Sequence, residues 1–155
     1  MAAVKYKNRR EYLDFYSQAM VSRYGKWLSH IRPDALVPVP VHPARRRKRG
    51  FNQAEELAER ISLLTGIPVR ADLLIRIRKT LPQKELNPAE RLNNLRLAFA
   101  VSDFYKIHPD QLPERVVLAD DIYTTGSTID TVAEELKSRG VQKVCFLTIS
   151  IGQGY

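Results

Sequence analysis

The sequence predicts a single α/β domain with a mostly parallel central sheet flanked by helices, and three observations carry that prediction. Segments with helical and strand periodicity alternate along the chain, the order that builds β-α-β units. The short apolar runs, residues 35–41 and 116–119 above all, are hydrophobic without alternation, as strands covered on both faces must be. The length, 155 residues, supports one core and is too short for a two-domain enzyme of ordinary build. The expected layout is one domain over residues 1–155, with an N-terminal helical segment over about 1–31 and an α/β core over 35–151.

The elements follow in order. Residues 8–30 read as a helix, because Tyr12, Phe15, Tyr16, Ala19, Met20 and Trp27 recur at helical spacing and Pro33 ends the segment. This aromatic face is most simply a core or dimer face. Residues 35–41 read as a strand. Pro38 and Pro40 each remove a ladder donor, which places them at a strand end or edge. Residues 51–65 are a helix with Ala54, Leu57, Ala58, Ile61 and Leu64 on one face and Gly66 as its stop. Residues 69–77 read as strand and 79–87 as polar loop. Asn87 then caps a helix that has Pro88 at its first position and runs to about Leu95. The run 116–119 is the candidate central strand. Residues 127–139 form a helix closed by Gly140, and 142–151 the last strand. Gly152 to Tyr155 reads as an unassigned tail.

Composition narrows the function classes. At 44% hydrophobic and 27% charged, the chain reads as soluble and globular. No apolar run approaches the ~20 residues needed to span a bilayer, and no apolar stretch near Met1 suggests a signal peptide. The single cysteine, Cys145, excludes an internal disulfide or a cysteine-only zinc site, and it lies in an apolar strand as a core residue. A reducing cytoplasm is the expected compartment. His30, His42 and His108 are too scattered to suggest a metal site. The net charge of +8 points to an anionic partner, nucleic acid or a phosphorylated small molecule. That charge is concentrated: Arg45, Arg46, Arg47, Lys48 and Arg49 hold five of the 25 cationic side chains.

In parallel sheets, ligands bind at the carboxyl ends of strands, so the turns after Ala119 and after Val41 matter most. The first reads Asp120-Asp121-Ile122-Tyr123-Thr124-Thr125-Gly126-Ser127-Thr128. Adjacent carboxylates at a strand end need solvent, a cation or hydroxyl donors, and a ribose offers neighbouring hydroxyls. Thr124, Thr125, Ser127 and Thr128 supply hydroxyls, and Gly126 permits close backbone approach. The loop enters a helix N-terminus, whose free amides and dipole favour phosphate. A plain helix cap would need one such residue, and this loop has four hydroxyls and two acids around one glycine. The second turn carries the basic run and then Gly50-Phe51-Asn52-Gln53-Ala54. Arginine grips phosphate oxygens bidentately. Most charge runs are solvated faces, but this one sits at a strand end and leads into a shaped turn.

The acid pair followed by Thr-Thr-Gly-Ser-Thr resembles the phosphoribosyl-pyrophosphate (PRPP) signature of type I phosphoribosyltransferases. Arg45, then Arg49-Gly50-Phe51-Asn52-Gln53-Ala54 and Leu57-Ala58, resembles the competence protein F (ComF) branch of that fold. Arg76, Thr80, Pro82-Gln83, Leu86, Arg91, Asn94 and Phe99 follow the branch's middle pattern, and the start at Lys5-Tyr6-Lys7 is similar to the point where its transferase-like domain begins. The resemblance covers nearly the whole chain. Many members carry an N-terminal four-cysteine zinc module, and with one cysteine this chain is expected to lack it.

The resemblance implies a type I phosphoribosyltransferase-like fold that binds PRPP, or another phosphoribosyl ligand, with Mg²⁺. Asp120 and Asp121 would hold the ribose hydroxyls, and Thr124, Thr125, Gly126, Ser127 and Thr128 the 5′-phosphate. Arg45, Lys48 and Arg49 would face the pyrophosphate. A flexible loop over residues 78–86, with Lys79, Gln83 and Lys84, would close over it or remain an ordinary exposed connection. No metal would be held by protein side chains alone. Purine-salvage relatives often have an acid directly before the loop's Thr-Gly pair, and Thr124 stands there, which weakens a 6-oxopurine reading. Tyr123 either stacks on a base or is a partly buried turn aromatic. Two readings stay open. One is a PRPP-dependent glycosyltransferase with an unknown acceptor. The other is a non-catalytic protein of DNA uptake and natural transformation that binds single-stranded DNA or senses PRPP. No membrane insertion is expected, and a homodimer is among the partners the resemblance admits.

Overall fold

The computed structural model describes residues 11–41, 43–77 and 87–152. Its centre is a parallel sheet of β1 (Ala35–Pro38), β4 (Arg115–Tyr123) and β5 (Lys143–Ile151), with β4 in the middle. The register runs from Ala35↔Val116 to Pro38↔Ala119 on one side and from Arg115↔Lys143 to Tyr123↔Ile151 on the other. A single parallel bridge, Leu36↔Val69, lies on the outer side of β1. The backbone amide of Leu36 donates outward to Pro68 O at 2.8 Å, and that of Val39 donates inward to Ala119 O at 2.9 Å. Alternate residues of β1 thus face opposite neighbours. Pro38 and Pro40 are in step with Leu36, so their missing donors fall on the outer side, beyond the Val69 bridge.

Side chains of the sheet alternate between two apolar layers. Leu36, Val117, Ala119 and Leu147 pack with Leu57, Ala58 and Ile61 of α3 (Gln53–Thr65) and with Met20, Leu28 and Ile31 of α1 (Glu11–Ile31). Ala35, Val37, Val39, Val116 and Leu118 face the other layer, with Ile129, Val132 and Leu136 of α6 (Ser127–Ser138). Each buried valine, leucine, isoleucine or methionine among them contributes roughly 1.5–3 kcal/mol through burial. The same layer includes Leu74 of β2 (Leu74–Arg76) and Phe99 and Val101 of β3 (Phe99–Val101), which pair antiparallel as a separate two-stranded sheet. Between them lies α4 (Pro88–Arg96), opened by a capping box in which Asn87 and Glu90 bond each other's backbone amides. After β3 come α5 (Asp103–Ile107) and a 3₁₀ turn (Pro109–Gln111).

Five expectations change. The segment 69–77 is not one strand: after the Val69 bridge the chain turns at Ala71-Asp72 and re-enters as β2 in the second sheet. The basic run is not a turn but a short helix, α2 (Pro43–Arg49). The central strand does not stop at Ala119; β5 alongside carries the ladder to Tyr123. The aromatic stripe of α1 is only partly its core face: Met20 is buried and Trp27 packs against the core, but Phe15 is 67% exposed and the other buried positions are Leu13, Ser17, Leu28 and Ile31. Leu64 likewise leaves the predicted α3 face, at 49% exposed. Gly66 does end α3, left-handed at φ 76° with its amide on Ser62 O. Residues 8–10 of the predicted first helix lie outside the described residues.

Candidate functional site

The carboxyl ends of β1 and β4 open onto a cleft of about 220 Å³. Asp120 and Asp121 line one wall, as members of β4 itself. The Asp121 amide donates to Asp120 Oδ1 at 2.8 Å, which orients the first carboxylate. The ladder beside them, Asp120↔Thr148 and Ile122↔Ser150, makes this wall part of the rigid sheet.

Past Tyr123 the loop turns into α6, and Thr124 and Thr128 line the cleft with the acids. Gly126 has φ 81°, and a Cβ there would lie 2.6 Å from the Tyr123 hydroxyl. Only glycine suits both the left-handed backbone and that contact. The Tyr123 ring is held by stacking on Phe146, with centroids 5.3 Å apart and planes 8° apart. Tyr123 is therefore a prop for the loop's glycine. Thr125 Oγ1 and Ser127 Oγ share a hydrogen bond of 2.8 Å. Gly126 stands at the N-cap position of α6 with no side-chain cap bond. The Ser127 amide donates to Thr125 Oγ1 at 3.4 Å, and the next amides of this turn are left able to bind an anion. Gly152, beyond the end of β5, donates its amide to Tyr123 O at 2.7 Å, and a Cβ on it would touch Ile122 and Thr124 at 3.0 Å. Gly152, read as the start of an unassigned tail, braces the loop.

The opposite wall comes from the β1 end and the start of α3. Helix α2 places its cations unequally. Arg49 lines the cleft, and its Nη1 donates to Gln53 Oε1 at 3.3 Å. Arg46 pairs with Glu55 at 3.1 Å and lines a neighbouring cleft of about 250 Å³. Arg47 and Lys48 are exposed, and Lys48 does not line the cleft. Gly50, at φ 78°, ends α2 with its amide on Arg46 O. Asn52 then does two jobs: its Oδ1 caps α3 by accepting from the Ala54 amide at 3.1 Å, and its Nδ2 donates to Val39 O at 3.2 Å. The start of α3 is thereby tied to the end of β1. A helix predicted from Phe51 obscured this cap, although asparagine before Gln-Ala-Glu-Glu is its sequence signal.

The structure therefore brings Asp120, Asp121, Thr124, Thr128 and Arg49 around one cleft, with Thr125, Gly126 and Ser127 in the adjoining loop. Asn52, Gln53 and Arg76 also line it, and the sequence reading gave them no role in a site. The side chain of Arg45, and Lys79, Gln83 and Lys84, lie outside the described residues. Away from the cleft, Asp34 clamps the start of the sheet. Partial burial would raise its pKa, but hydrogen bonds from the Arg115 guanidinium and backbone amide, with that cation's charge, hold it below the usual carboxylate value.

The chain resembles the crystal structure of purine phosphoribosyltransferase from Pyrococcus horikoshii Ot3, with a TM-score of 0.50 and 18% identity, covering 88% of this chain and 73% of that one. With the parallel sheet and its strand-end loops, this defines the class: a type I phosphoribosyltransferase fold. No family model matches the chain. Competence protein F of Haemophilus influenzae is 34% identical over 113 residues, 72% of this chain and 48% of that protein. DNA utilization protein YhgH of Escherichia coli K12 is 32% identical over 115 residues, covering 72% and 47%. Competence protein ComFC of Streptococcus pneumoniae is 36% identical over 109 residues, covering 70% and 44%. The chain belongs to the competence protein F family, and it spans about half the length of the curated relatives it matches. Among the described residues, no helix is long and apolar enough to cross a membrane.

Proposed function

We propose that the cleft binds PRPP, and that the chain is a phosphoribosyltransferase-like component of DNA uptake and use in a reducing cytoplasm. One observation carries this: a carboxylate pair, a helix start without a side-chain cap and an arginine converge on one cleft at the strand ends. Asp120 and Asp121 would accept hydrogen bonds from the ribose hydroxyls. The Thr124–Thr128 loop and the first amides of α6 would hold the 5′-phosphate. Arg49 would meet the pyrophosphate, joined by other cations of the run. The hard carboxylate oxygens suit Mg²⁺, whose remaining ligands would be the oxygens of PRPP and water. That ion would offset the charge of the pyrophosphate.

In a transfer reaction the bond from ribose C1 to the pyrophosphate oxygen breaks, pyrophosphate leaves with the electron pair, and an acceptor forms the new bond to C1. The residues here would act by positioning the ribose and stabilising the leaving group. The acceptor is the open element of this reading. A second reading, a single-stranded DNA-binding protein, is favoured by the exposed Arg47 and Lys48 and by the names of the relatives.

Calorimetric titration separates the two. Mg²⁺-PRPP should bind saturably, and Asp120→Ala/Asp121→Ala should weaken it by about a hundredfold or more, as expected for two charge-assisted hydrogen bonds. The same variant should bind a single-stranded oligonucleotide at least as well as the parent across a salt series, because removing acids lowers repulsion. PRPP affinity that survives the double substitution sinks the site assignment.

A further inference from the structure

Gln53 is the first residue of α3. It is 3% exposed, yet it lines the cleft. Its Oε1 accepts from Arg49 Nη1 at 3.3 Å, and its Nε2 has no hydrogen-bond partner. The orientation of the amide follows from chemistry. A guanidinium has donors only, so the atom facing Arg49 has to be the oxygen, and the NH₂ group turns away from it. A buried donor left unmade is costly, and native proteins keep few of them without a use. The surroundings narrow that use. Asn52, Gln53 and Ala54 all line the cleft, so α3 presents its N-terminal end there, where partial positive charge favours an anion. The missing partner is therefore an acceptor, and an anionic oxygen fits best.

We propose that Gln53 is a specificity-determining residue for the diphosphate end of the ligand. Its Nε2, buried in this structure, would turn to donate to a diphosphate oxygen while its Oε1 holds Arg49 over the same group. This rests on reading the cleft as a PRPP site, and it adds a neutral, directional contact that the basic run does not supply. It also explains why one cation of α2 is seated in the cleft while Arg46 is drawn to Glu55: Arg49 stands four residues before Gln53, close enough for the amide to fix its head group. The selectivity that follows is for a ribose 5-phosphate bearing a 1-diphosphate over ribose 5-phosphate itself.

The test is a calorimetric comparison of Mg²⁺-PRPP and ribose 5-phosphate on the full chain and on two variants, Gln53→Glu and Gln53→Met. Glutamate suits a helix N-terminus and keeps an acceptor for Arg49, so Gln53→Glu should still fold, which its melting curve checks, while its carboxylate repels the diphosphate. Methionine keeps the volume and removes both polar atoms. Each variant should bind PRPP at least about tenfold more weakly, with Gln53→Glu the worse, as expected for losing a hydrogen bond to a charged group. Ribose 5-phosphate should bind within about twofold of the parent, which a merely structural role for Gln53 would not predict. Unchanged PRPP affinity in both folded variants overturns the inference, and so does an equal loss for both ligands. A parent chain that binds no PRPP at all overturns the underlying reading, and is distinguished by appearing before any substitution.

Discussion

The two strand-to-helix connections that form the cleft solve the same problem in opposite ways. After β1, the chain satisfies itself: Asn52 caps α3 and ties it to Val39, Gly50 closes α2, and Arg49 rests on Gln53. After β4, the loop leaves its helix start without a side-chain cap, and its hydroxyls of Thr125 and Ser127 bond each other. Among its described residues, the first connection is a scaffold in which the buried Gln53 amide nitrogen has no partner. The second is, in the proposed reading, a receptor: apart from the Ser127 amide, which donates to Thr125 Oγ1, the first amides of α6 have no side-chain cap. In the proposed reading, the groups left unsatisfied within the cleft are a better guide to a ligand than the density of charge is. By charge alone, α2 would be the centre of the site, yet Arg47 and Lys48 are exposed and Arg46 serves a neighbouring cleft.

Substitutions can break that contrast. The aspartate pair should have the largest effect, on ligand affinity. Next comes Gly126→Ala. A left-handed alanine costs about 1–2 kcal/mol, and its methyl would press on the Tyr123 hydroxyl 2.6 Å away. The expected outcome is a lower melting temperature together with at least tenfold weaker PRPP binding, an order of magnitude set by about 1.4 kcal/mol. Adding Tyr123→Phe should return part of the lost stability by removing the hydroxyl, and no recovery would mean the clash is not with Tyr123.

Asn52→Ala should act mainly on stability, lowering it by about 1–2 kcal/mol in urea denaturation through loss of the cap and of the tie to β1. Thr125→Ala, in the receptor loop, should change stability by less than Asn52→Ala does and PRPP affinity by more. Equal stability losses for the two would erase the distinction between scaffold and receptor.

The smallest effect is at Asp34. Its folded pKa is depressed, so its contribution is present above the unfolded carboxylate value and is lost as pH falls through the folded one. Asp34→Asn should therefore be slightly less stable than the parent near neutrality, by a few tenths of a kcal/mol to about one, since the pair is partly exposed. Urea midpoints of the two chains should converge as pH drops below about 4. A gap that persists in acid would rule out the ionised Asp34–Arg115 contact as its origin.

Much of this architecture was legible in the sequence, for physical reasons. Helix ends with strong punctuation were read correctly: Asn87-Pro88 at the start of α4 and Gly66 at the end of α3. The position of the acid and hydroxyl segment, between the central strand and the helix that follows it, was legible as well. Other features lay below the reach of periodicity. Helix α2 has no apolar rhythm. It is helical because arginine and lysine are good helix formers and its last-turn cations suit the dipole. Strands β2 and β3 are three residues each, too short for any pattern to emerge. The acids looked like a turn because aspartate is poor in strands, yet pairing with β5 overrides that local preference. Gln53 looked like one letter of a motif, because the sequence does not say which of its two polar atoms will be left without a partner.

The prolines of β1 have one more consequence. Sheets invite intruding strands wherever an edge offers amide hydrogens, and the outer margin of β1 lies next to the cleft. Past Leu36, every second residue on that margin is proline, so an incoming chain finds carbonyls but no donor through Pro40. A strand approaching beside the cleft would therefore find no amide partner at Pro38 or Pro40.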